Sequence, residues 1–194
     1  MLPENIIFIG VAINLFCSLW YIRNIFRGGT KPNLVSWFIW ALAPMVGTFL
    51  ALRAGAGFSS LGIFMAGFGP LLVIIFSLFK KNAFWKMQFF DLICGFFSIL
   101  ALFIYIITNN LNIAILFVIL SDFLAYIPTF IKSWQHPETE TSSVYWGGVI
   151  NNILALLIIR NWIFAIYFFP VYLVLANLIE LSFIYRKKIF KIFR

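Results

Sequence analysis

The stretch ILFVILSDFLAYIPTF, residues 115–130, decides the fold class of this chain. It contains one charged residue, Asp122, six positions before Pro128. A helix needs about 20 mainly apolar residues to cross a bilayer core. An Asp at the middle of such a helix costs roughly 2.5–3.5 kcal/mol to insert, so it normally faces a bundle interior or a water-filled cavity. The stretch therefore predicts a transmembrane helix packed inside a bundle.

The composition points the same way. The 194 residues are 63% hydrophobic and 10% charged, whereas a soluble domain carries about 25% charged residues. The net charge of +8 could suggest nucleic acid, but the Lys and Arg residues lie in short clusters between apolar runs. Such clusters are typical of membrane topology signals, so we expect a lipid bilayer and no nucleic acid as partner. The first apolar segment follows Glu4 and lacks a basic n-region, which favours a retained helix over a signal peptide.

Polar, Gly and Pro clusters divide the chain into seven apolar spans. The sequence therefore predicts an all-α membrane protein with seven transmembrane helices, their ends accurate to a few residues. The sixth span is the shortest candidate. The predicted spans are about 6–26, 34–53, 60–80, 88–107, 112–133, 144–160 and 162–185.

The basic residues are distributed unevenly over the two faces of this predicted bundle. Only Arg53 and Arg160 belong to the face after helices 2, 4 and 6. Because Lys and Arg concentrate on the cytoplasmic side, we expect an outside N-terminus and a cytoplasmic C-terminus. The face after helices 1, 3, 5 and 7 holds Arg23, Arg27, Lys31, Lys80, Lys81, Lys86, Lys132, Arg186, Lys187, Lys188, Lys191 and Arg194.

Two pairs of similar segments indicate an internal repeat. LVSW (34–37) and SVYW (143–146) each open a helix, and GFGPLLVI and YFFPVYLV align Pro70 with Pro170. We predict two parallel three-helix repeats, residues 1–83 and 111–185, joined by a linker helix in residues 84–110 and followed by a basic cytoplasmic tail, 186–194. Parallel repeats of this kind occur in transporters that bind substrate near the midplane between the halves.

The chain at this point resembles the PQ-loop and SWEET superfamily, whose members have this three-plus-one-plus-three arrangement. At motif level the resemblance is concentrated in YIPTFIKSWQHPETETSS, which is similar to the segment where Pro-Gln ends helix 5. Pro128 matches the proline, Thr129 replaces the glutamine, and Leu19 stands where the first half would carry a proline. The resemblance implies transport of a small solute, with Pro128 and Pro44 as candidate hinges. Fixed bends that shape packing are the alternative for these prolines.

Polar residues near the middle of the spans are the candidate site. Asp122 either lines a central cavity, where it could exchange a proton, or locks helix 5 to a neighbour by a hydrogen bond. Asn14 occupies nearly the corresponding position of the first repeat, which suggests one shared cavity. Asn151 and Asn152 are adjacent and point about 100° apart, so we expect only one of them at the cavity. Asn177 lies in the cytoplasmic half of helix 7.

Several tryptophans and the remaining charges admit two interpretations. Trp40 lies one turn deeper than Trp37 and is either a pocket wall or lipid-facing, whereas Trp37 and Trp146 are expected to be interface anchors. Glu180 is expected to reach lipid headgroups, with pairing to Lys80 or Lys187 as the alternative. The HPETE segment (136–140) is expected to be a solvated loop.

We therefore predict a transporter for a small polar solute, with candidate substrate contacts at Asn14, Trp40, Asp122, Asn151, Asn152 and Asn177. The sequence has no metal-ligand cluster, nucleophile–base pairing or glycine-rich phosphate loop, so neither a cofactor nor enzyme activity is predicted. The alternatives are a non-transporting receptor, a lipid-handling protein and an assembly subunit on the same fold. Sugar, vitamin, nucleoside and amino acid are not distinguished, and a homo-oligomer is compatible with the sequence.

Overall fold

The computed structural model describes residues 2–80, 83–108 and 110–192. These residues form seven α-helices and three short 3-10 helices, with no β-strand among them. The prediction of an all-α chain with seven helices is confirmed. The α-helices are α1 (Ile7–Arg27), α2 (Leu34–Arg53), α3 (Ser60–Ser77), α4 (Phe89–Ile106), α5 (Leu111–Gln135), α6 (Ser143–Leu157) and α7 (Phe164–Ile192).

The lengths of the helices fit a membrane protein. Five of them, α1, α2, α3, α5 and α7, are long and apolar enough to cross a membrane, and α4 and α6 are shorter apolar helices. Helix α6 has 15 residues and so rises about 22 Å, less than the roughly 30 Å of a hydrocarbon core. It ends at Leu157, three residues before the end of the predicted sixth span.

Local signals in the sequence set several helix ends. The Asn33 side chain accepts hydrogen bonds from the backbone N–H groups of Val35 and Ser36 and caps α2. Asn110 caps α5 in the same way. Helix α1 ends at Gly28, whose φ of 82° lies in the left-handed region that glycine adopts without a steric penalty. Because no water satisfies backbone groups inside a bilayer, these ends coincide with breaks in the apolar runs.

The helices of the two predicted groups of three, α1–α3 and α5–α7, form the bundle, with α4 at its side. Helix α3 packs against both α1 and α2, and α7 packs against both α5 and α6. The two groups meet mainly where α1 packs on α6 and where α2 packs on α5. Helix α4 packs on α5 and more lightly on α2. The predicted repeat itself stays a prediction.

Hydrogen bonds show which helix ends lie together. The C-terminal ends of α1, α3, α5 and α7 lie together, and we call this end of the bundle the basic end. The opposite end is formed by the 3-10 segment before α1, the α2–α3 loop and the α6–α7 loop. The bonds at the basic end include Lys31 N to Thr139 O, Trp85 N to Pro32 O, Lys80 Nζ to Ile25 O and Arg186 to Trp134 O.

The predicted basic tail is a continuation of α7, which extends to Ile192 instead of ending near residue 185. Residues 193 and 194 lie outside the described part of the chain, as do Lys81 and the side chains of residues 188–192. Three of the basic side chains of the predicted tail, Lys188, Lys191 and Arg194, therefore lie outside the described residues.

Candidate functional site

A small cavity lies at the centre of the bundle, and six of the seven helices contribute to its wall. About 40 Å³ is open to the centres of water molecules, which is room for a few waters. The described lining residues come from both groups of three helices and not from α4. They are Asn14, Trp37, Trp40, Pro44, Met65, Ala66, Pro70, Asp122, Tyr126, Val144, Tyr145, Gly148, Leu173 and Asn177.

Asp122 is the one charged residue among these lining residues. Its side chain is almost completely buried, with a relative exposure of 1%. One carboxylate oxygen, Oδ2, accepts a hydrogen bond of 2.9 Å from the hydroxyl of Tyr172 on α7. The other, Oδ1, has no hydrogen-bond partner among the described residues. The carboxylate is therefore anchored on one side, and its second oxygen keeps an unused acceptor at a cavity wall.

Aromatic rings form one wall of the cavity. The ring of Trp40 lies at the centre of this group, 4.3 Å between centroids from Tyr126, 5.5 Å from Trp37 and 6.4 Å from Tyr145. These four residues come from α2, α5 and α6, so the wall joins the two groups of helices. The Trp40 indole Nε1 and the Tyr145 hydroxyl have no hydrogen-bond partner among the described residues. The wall therefore offers both apolar ring surface and unused polar groups.

The sequence allowed Trp40 to be either a pocket wall or lipid-facing. In the structure its side chain lines the cavity. The interface-anchor interpretation of Trp37 is wrong, because its side chain is only 1% exposed and packs against Tyr21 at 4.7 Å between centroids. The position of Trp37 along α2 predicted a place near the membrane boundary. The contacts that close the basic end cover its side chain and separate it from lipid. Trp146 is exposed, as an anchor requires.

Two asparagines complete the polar part of the cavity. Asn14 on α1 keeps its Oδ1 without a hydrogen-bond partner among the described residues. Asn177 on α7 donates through Nδ2 to the carbonyl of Leu173, one turn earlier, at 2.7 Å. Gly148 of α6 allows α7 to come close here, since a Cβ at this position would lie 2.9 Å from Asn177 Nδ2. Asn14 and Asp122 both line this one cavity.

Asn151 and Asn152 do not line the cavity, contrary to the expectation that one of them would. Both are fully buried. Asn151 Nδ2 donates to the carbonyl of Gly62 on α3 at 2.8 Å, and Asn152 Nδ2 donates to Gly148 O in its own helix at 2.9 Å. The close packing of α6 against both α1 and α3 covers these two side chains. Asn151 therefore joins α6 to α3, and Asn152 bonds within α6, instead of facing the central space.

The two candidate hinge prolines occupy different places. Pro44 of α2 lines the central cavity, and its carbonyl accepts a hydrogen bond from Thr48 at 2.8 Å. Pro128 of α5 lines a separate polar cavity of about 70 Å³ at the basic end, beside Trp85 and Lys132. Each proline removes a helical hydrogen bond from the wall of a cavity. Their role as moving hinges stays a prediction.

A buried ion pair closes the basic end, and the sequence did not reveal it. Lys132 Nζ and Glu140 Oε2 lie 2.5 Å apart with side-chain exposures of 1% and 0%. The same carboxylate accepts the hydroxyl of Tyr21 on α1 at 2.5 Å, and Lys132 Nζ also donates to Lys31 O at 2.5 Å. Thr30 and Thr141 hydrogen-bond to each other alongside. The expectation of a solvated HPETE loop is therefore wrong for Glu140, although His136 and Glu138 are exposed.

Glu180 of α7 is buried near this ion pair and not at the lipid headgroups. Its exposure is 0%, its Oε1 accepts a hydrogen bond from Ser133, and its Oε2 has no hydrogen-bond partner among the described residues. The alternative pairing with Lys80 is also wrong, because Lys80 Nζ donates to the carbonyls of Ile25 and Phe26 at the end of α1. The face of α7 that carries Glu180 packs inside the bundle, which periodicity alone could not establish.

The opposite end is closed more loosely. Arg160 Nε, in the α6–α7 loop, lies 2.8 Å from Glu4 Oε1 beside α1, with side-chain exposures of 73% and 35%. A polar cavity of about 110 Å³ lies under this pair, against the α2–α3 loop. An exposed pair of this kind contributes at most about 1 kcal/mol, so this end is held less strongly than the basic end.

Comparison of the chain with protein-family models, curated proteins and solved structures finds no match. Among the described residues, no group of three or more His, Cys, Asp or Glu side chains is placed to hold a metal ion. The central cavity and the contacts that close its two ends are therefore the features that bear on function.

Proposed function

We propose that this chain is a membrane transporter for a small polar solute that works by alternating access. The observation that carries the proposal is the central cavity between the two groups of three helices, whose mainly apolar wall contains a few buried polar groups. It combines one carboxylate, Asp122, with the amides of Asn14 and Asn177 and an aromatic wall around Trp40. Polar side chains at this depth are costly in a bilayer, and they are retained where they line a path for a solute.

The packing pattern supports a two-repeat transporter of the PQ-loop and SWEET type. An axis that exchanges α1 with α5, α2 with α6 and α3 with α7 would also exchange the α1–α6 contact with the α2–α5 contact. Both contacts are extensive. The same axis would exchange the packing of α3 on α1 and α2 with that of α7 on α5 and α6. Rocking of one repeat against the other would then open the cavity to one side at a time.

The distribution of charge supports an orientation for this transporter. The basic end carries nearly all of the Lys and Arg residues, so the positive-inside rule assigns it to the cytoplasm and the N-terminus to the outside. The cytoplasmic closure is the buried pair Lys132–Glu140, and the outer closure is the exposed pair Glu4–Arg160. The outer pair joins a segment of one repeat to a segment of the other. At the cytoplasmic end, both members of the buried pair lie in the second repeat and contact the first through the Tyr21 hydroxyl and the carbonyl of Lys31. Because these inner contacts are buried and the outer pair is exposed, the outer side is expected to open more readily.

The proposal is tested by uptake into proteoliposomes. A panel of labelled sugars, nucleosides, amino acids and small organic cations is offered with and without an inward proton gradient, to the parent protein and to Asp122→Asn. The control is Asp91→Asn, because Asp91 is another buried carboxylate but lies at the start of α4, away from the cavity.

We expect uptake of at least one solute that is lost in Asp122→Asn and kept in Asp91→Asn. Loss of only the gradient-driven part would make Asp122 a proton-coupling residue. Uptake that survives Asp122→Asn unchanged would reduce this residue to a lock between α5 and α7 through Tyr172. Absence of uptake by correctly folded protein over the whole panel would contradict transport and favour a receptor or a lipid-handling role.

A further inference from the structure

The charged groups buried inside the bundle are mostly acidic, although the whole chain is strongly basic. Four carboxylates are buried among the described residues, against a single buried cation, Lys132. That cation is already paired with Glu140. The buried carboxylates are Asp91, Asp122, Glu140 and Glu180. The excess positive charge of the sequence therefore lies outside the core, and the core itself favours positive ligands.

The central cavity has an acidic group without a counter-ion. No described Lys, Arg or His forms an ion pair with Asp122, and no basic residue is among the described residues that line the cavity. Its Oδ2 is held by the Tyr172 hydroxyl, while Oδ1 has no hydrogen-bond partner in the described part of the chain. A buried carboxylate is poorly stabilised when it lacks a partner of opposite charge. A cation in this cavity would supply that partner.

The aromatic wall is a second feature that favours a positively charged ligand. Trp37, Trp40, Tyr126 and Tyr145 all line the cavity that contains Asp122. The negative faces of aromatic rings attract ammonium groups, and several rings around one acidic group form the kind of site that recognises quaternary ammonium ligands. The unused Oδ1 of Asn14 and the Tyr145 hydroxyl are additional acceptors for N–H donors. An anionic ligand would meet no charged donor among these lining residues.

From these contacts we infer that the solute is a small organic cation, bound through an ammonium or similar group to Asp122 and to the aromatic wall around Trp40. The inference assumes the proposed cavity as the substrate site and names its substrate class. Glu180, buried closer to the basic end with its Oε2 unused, is a second acidic group on the cytoplasmic side of that cavity. The cavity must widen to admit such a ligand, and Pro44 and Pro70 lie in the walls that would move.

Binding to the purified 194-residue chain in detergent tests the inference without requiring any variant. Choline is compared with its uncharged isostere 3,3-dimethyl-1-butanol, and benzylammonium is compared with benzyl alcohol. Each affinity is measured by thermal shift and by quenching of tryptophan fluorescence. We expect at least one cation to bind about 30-fold more tightly than its neutral partner, which is the preference of a desolvated cation–aromatic contact. Equal binding within both pairs, or no binding of either cation, would overturn the inference.

Four variants separate the contributions of charge and ring. Asp122→Asn is expected to remove the preference for the cation, and Asp91→Asn is expected to keep it. Trp40→Phe retains a ring and is expected to keep most of the affinity, while Trp40→Leu is expected to lose about tenfold or more. Size-exclusion chromatography and circular dichroism confirm that each variant is folded. A cation preference that survives Asp122→Asn would also overturn the assignment.

Uptake of labelled choline into proteoliposomes distinguishes this inference from the proposed function. Choline that binds in an Asp122-dependent way but is not taken up would support the substrate class and contradict transport. Uptake of neutral solutes by a protein that binds neither cation would support transport and contradict the substrate class. The two proposals therefore fail on different observations.

Discussion

Replacing Glu140 with Gln tests the buried ion pair at the basic end. In the parent, the two carboxylate oxygens accept from two donors, the Tyr21 hydroxyl and Lys132 Nζ, each at 2.5 Å. A glutamine of the same shape has only one oxygen and presents an N–H₂ group to the other donor. If that oxygen remains with Tyr21, Lys132 keeps only the carbonyl of Lys31 and loses its counter-charge.

The expected effect is large because the pair is fully buried. Removing one partner of a buried ion pair typically destabilises a protein by about 3–5 kcal/mol. The free energy of unfolding is measured by reversible unfolding of the purified protein in mixed micelles with increasing sodium dodecyl sulfate. Glu138→Gln is the matched control, because Glu138 lies two residues away, is 61% exposed and contacts His136 and Lys187 only loosely. This control is expected to change stability by less than about 1 kcal/mol.

A double variant checks that the loss comes from an unpaired charge. Lys132→Met combined with Glu140→Gln removes both charges and keeps apolar volume where the lysine stem packed, so it is expected to recover a large part of the lost stability. The reasoning is refuted if Glu140→Gln is as stable as Glu138→Gln. It is also refuted if the double variant loses the full sum of the two single effects.

Three further predictions concern contacts of α6, α7 and the exposed part of the α5–α6 loop, and all use the same unfolding assay. Gly148→Ala places a Cβ 2.9 Å from Asn177 Nδ2 and is expected to cost about 1–3 kcal/mol; an unchanged stability would mean that α7 can yield there. Ser133→Ala leaves the buried Glu180 Oε1 without its described donor and is expected to cost about 1–3 kcal/mol, whereas a value near zero would mean that this hydrogen bond does not hold α5 to α7. A hydrogen bond with its own backbone lowers the pKa of Glu138 below 4.5, so its small contribution is present above that pH and is lost as the pH falls through the lower, folded-state pKa. Glu138→Gln is expected to remove this acid-side dependence, and an identical pH profile in parent and variant would contradict it.

The residues that sequence analysis misassigned share a physical cause. Trp37 and Glu180 were assigned to the membrane surface from their depth along a helix, and both are buried inside the bundle. Depth follows from position along the chain, but the face on which a side chain lies depends on how neighbouring helices pack. Where nearly every residue of a helix is apolar, the contrast between a lipid-facing and a core-facing side is weak, so periodicity does not show which face is buried.

Glu140 shows why the burial of a residue in a polar loop could not be predicted from the sequence. HPETE reads as a solvated segment because His, Pro, Glu and Thr are typical of loops. Its last glutamate is nevertheless buried, because the fold brings it to Tyr21, a residue 119 positions earlier in the chain. Asn151 and Asn152 show the same limit inside a helix. Their adjacency allowed one of them to face the cavity, and the close packing of α6 on α1 and α3 covered both.

What the sequence by itself determined is the number of helices, their approximate ends and the burial of Asp122 within α5. It could do so because a bilayer demands long apolar runs and makes an isolated charge within one costly, and both are properties of consecutive residues. The tertiary structure decided which polar groups meet: Asp122 with Tyr172, Glu140 with Lys132 and Tyr21, and Trp40 with Tyr126. Such contacts depend on distances of a few ångströms between residues far apart in the chain, and those distances exist only once the helices have packed.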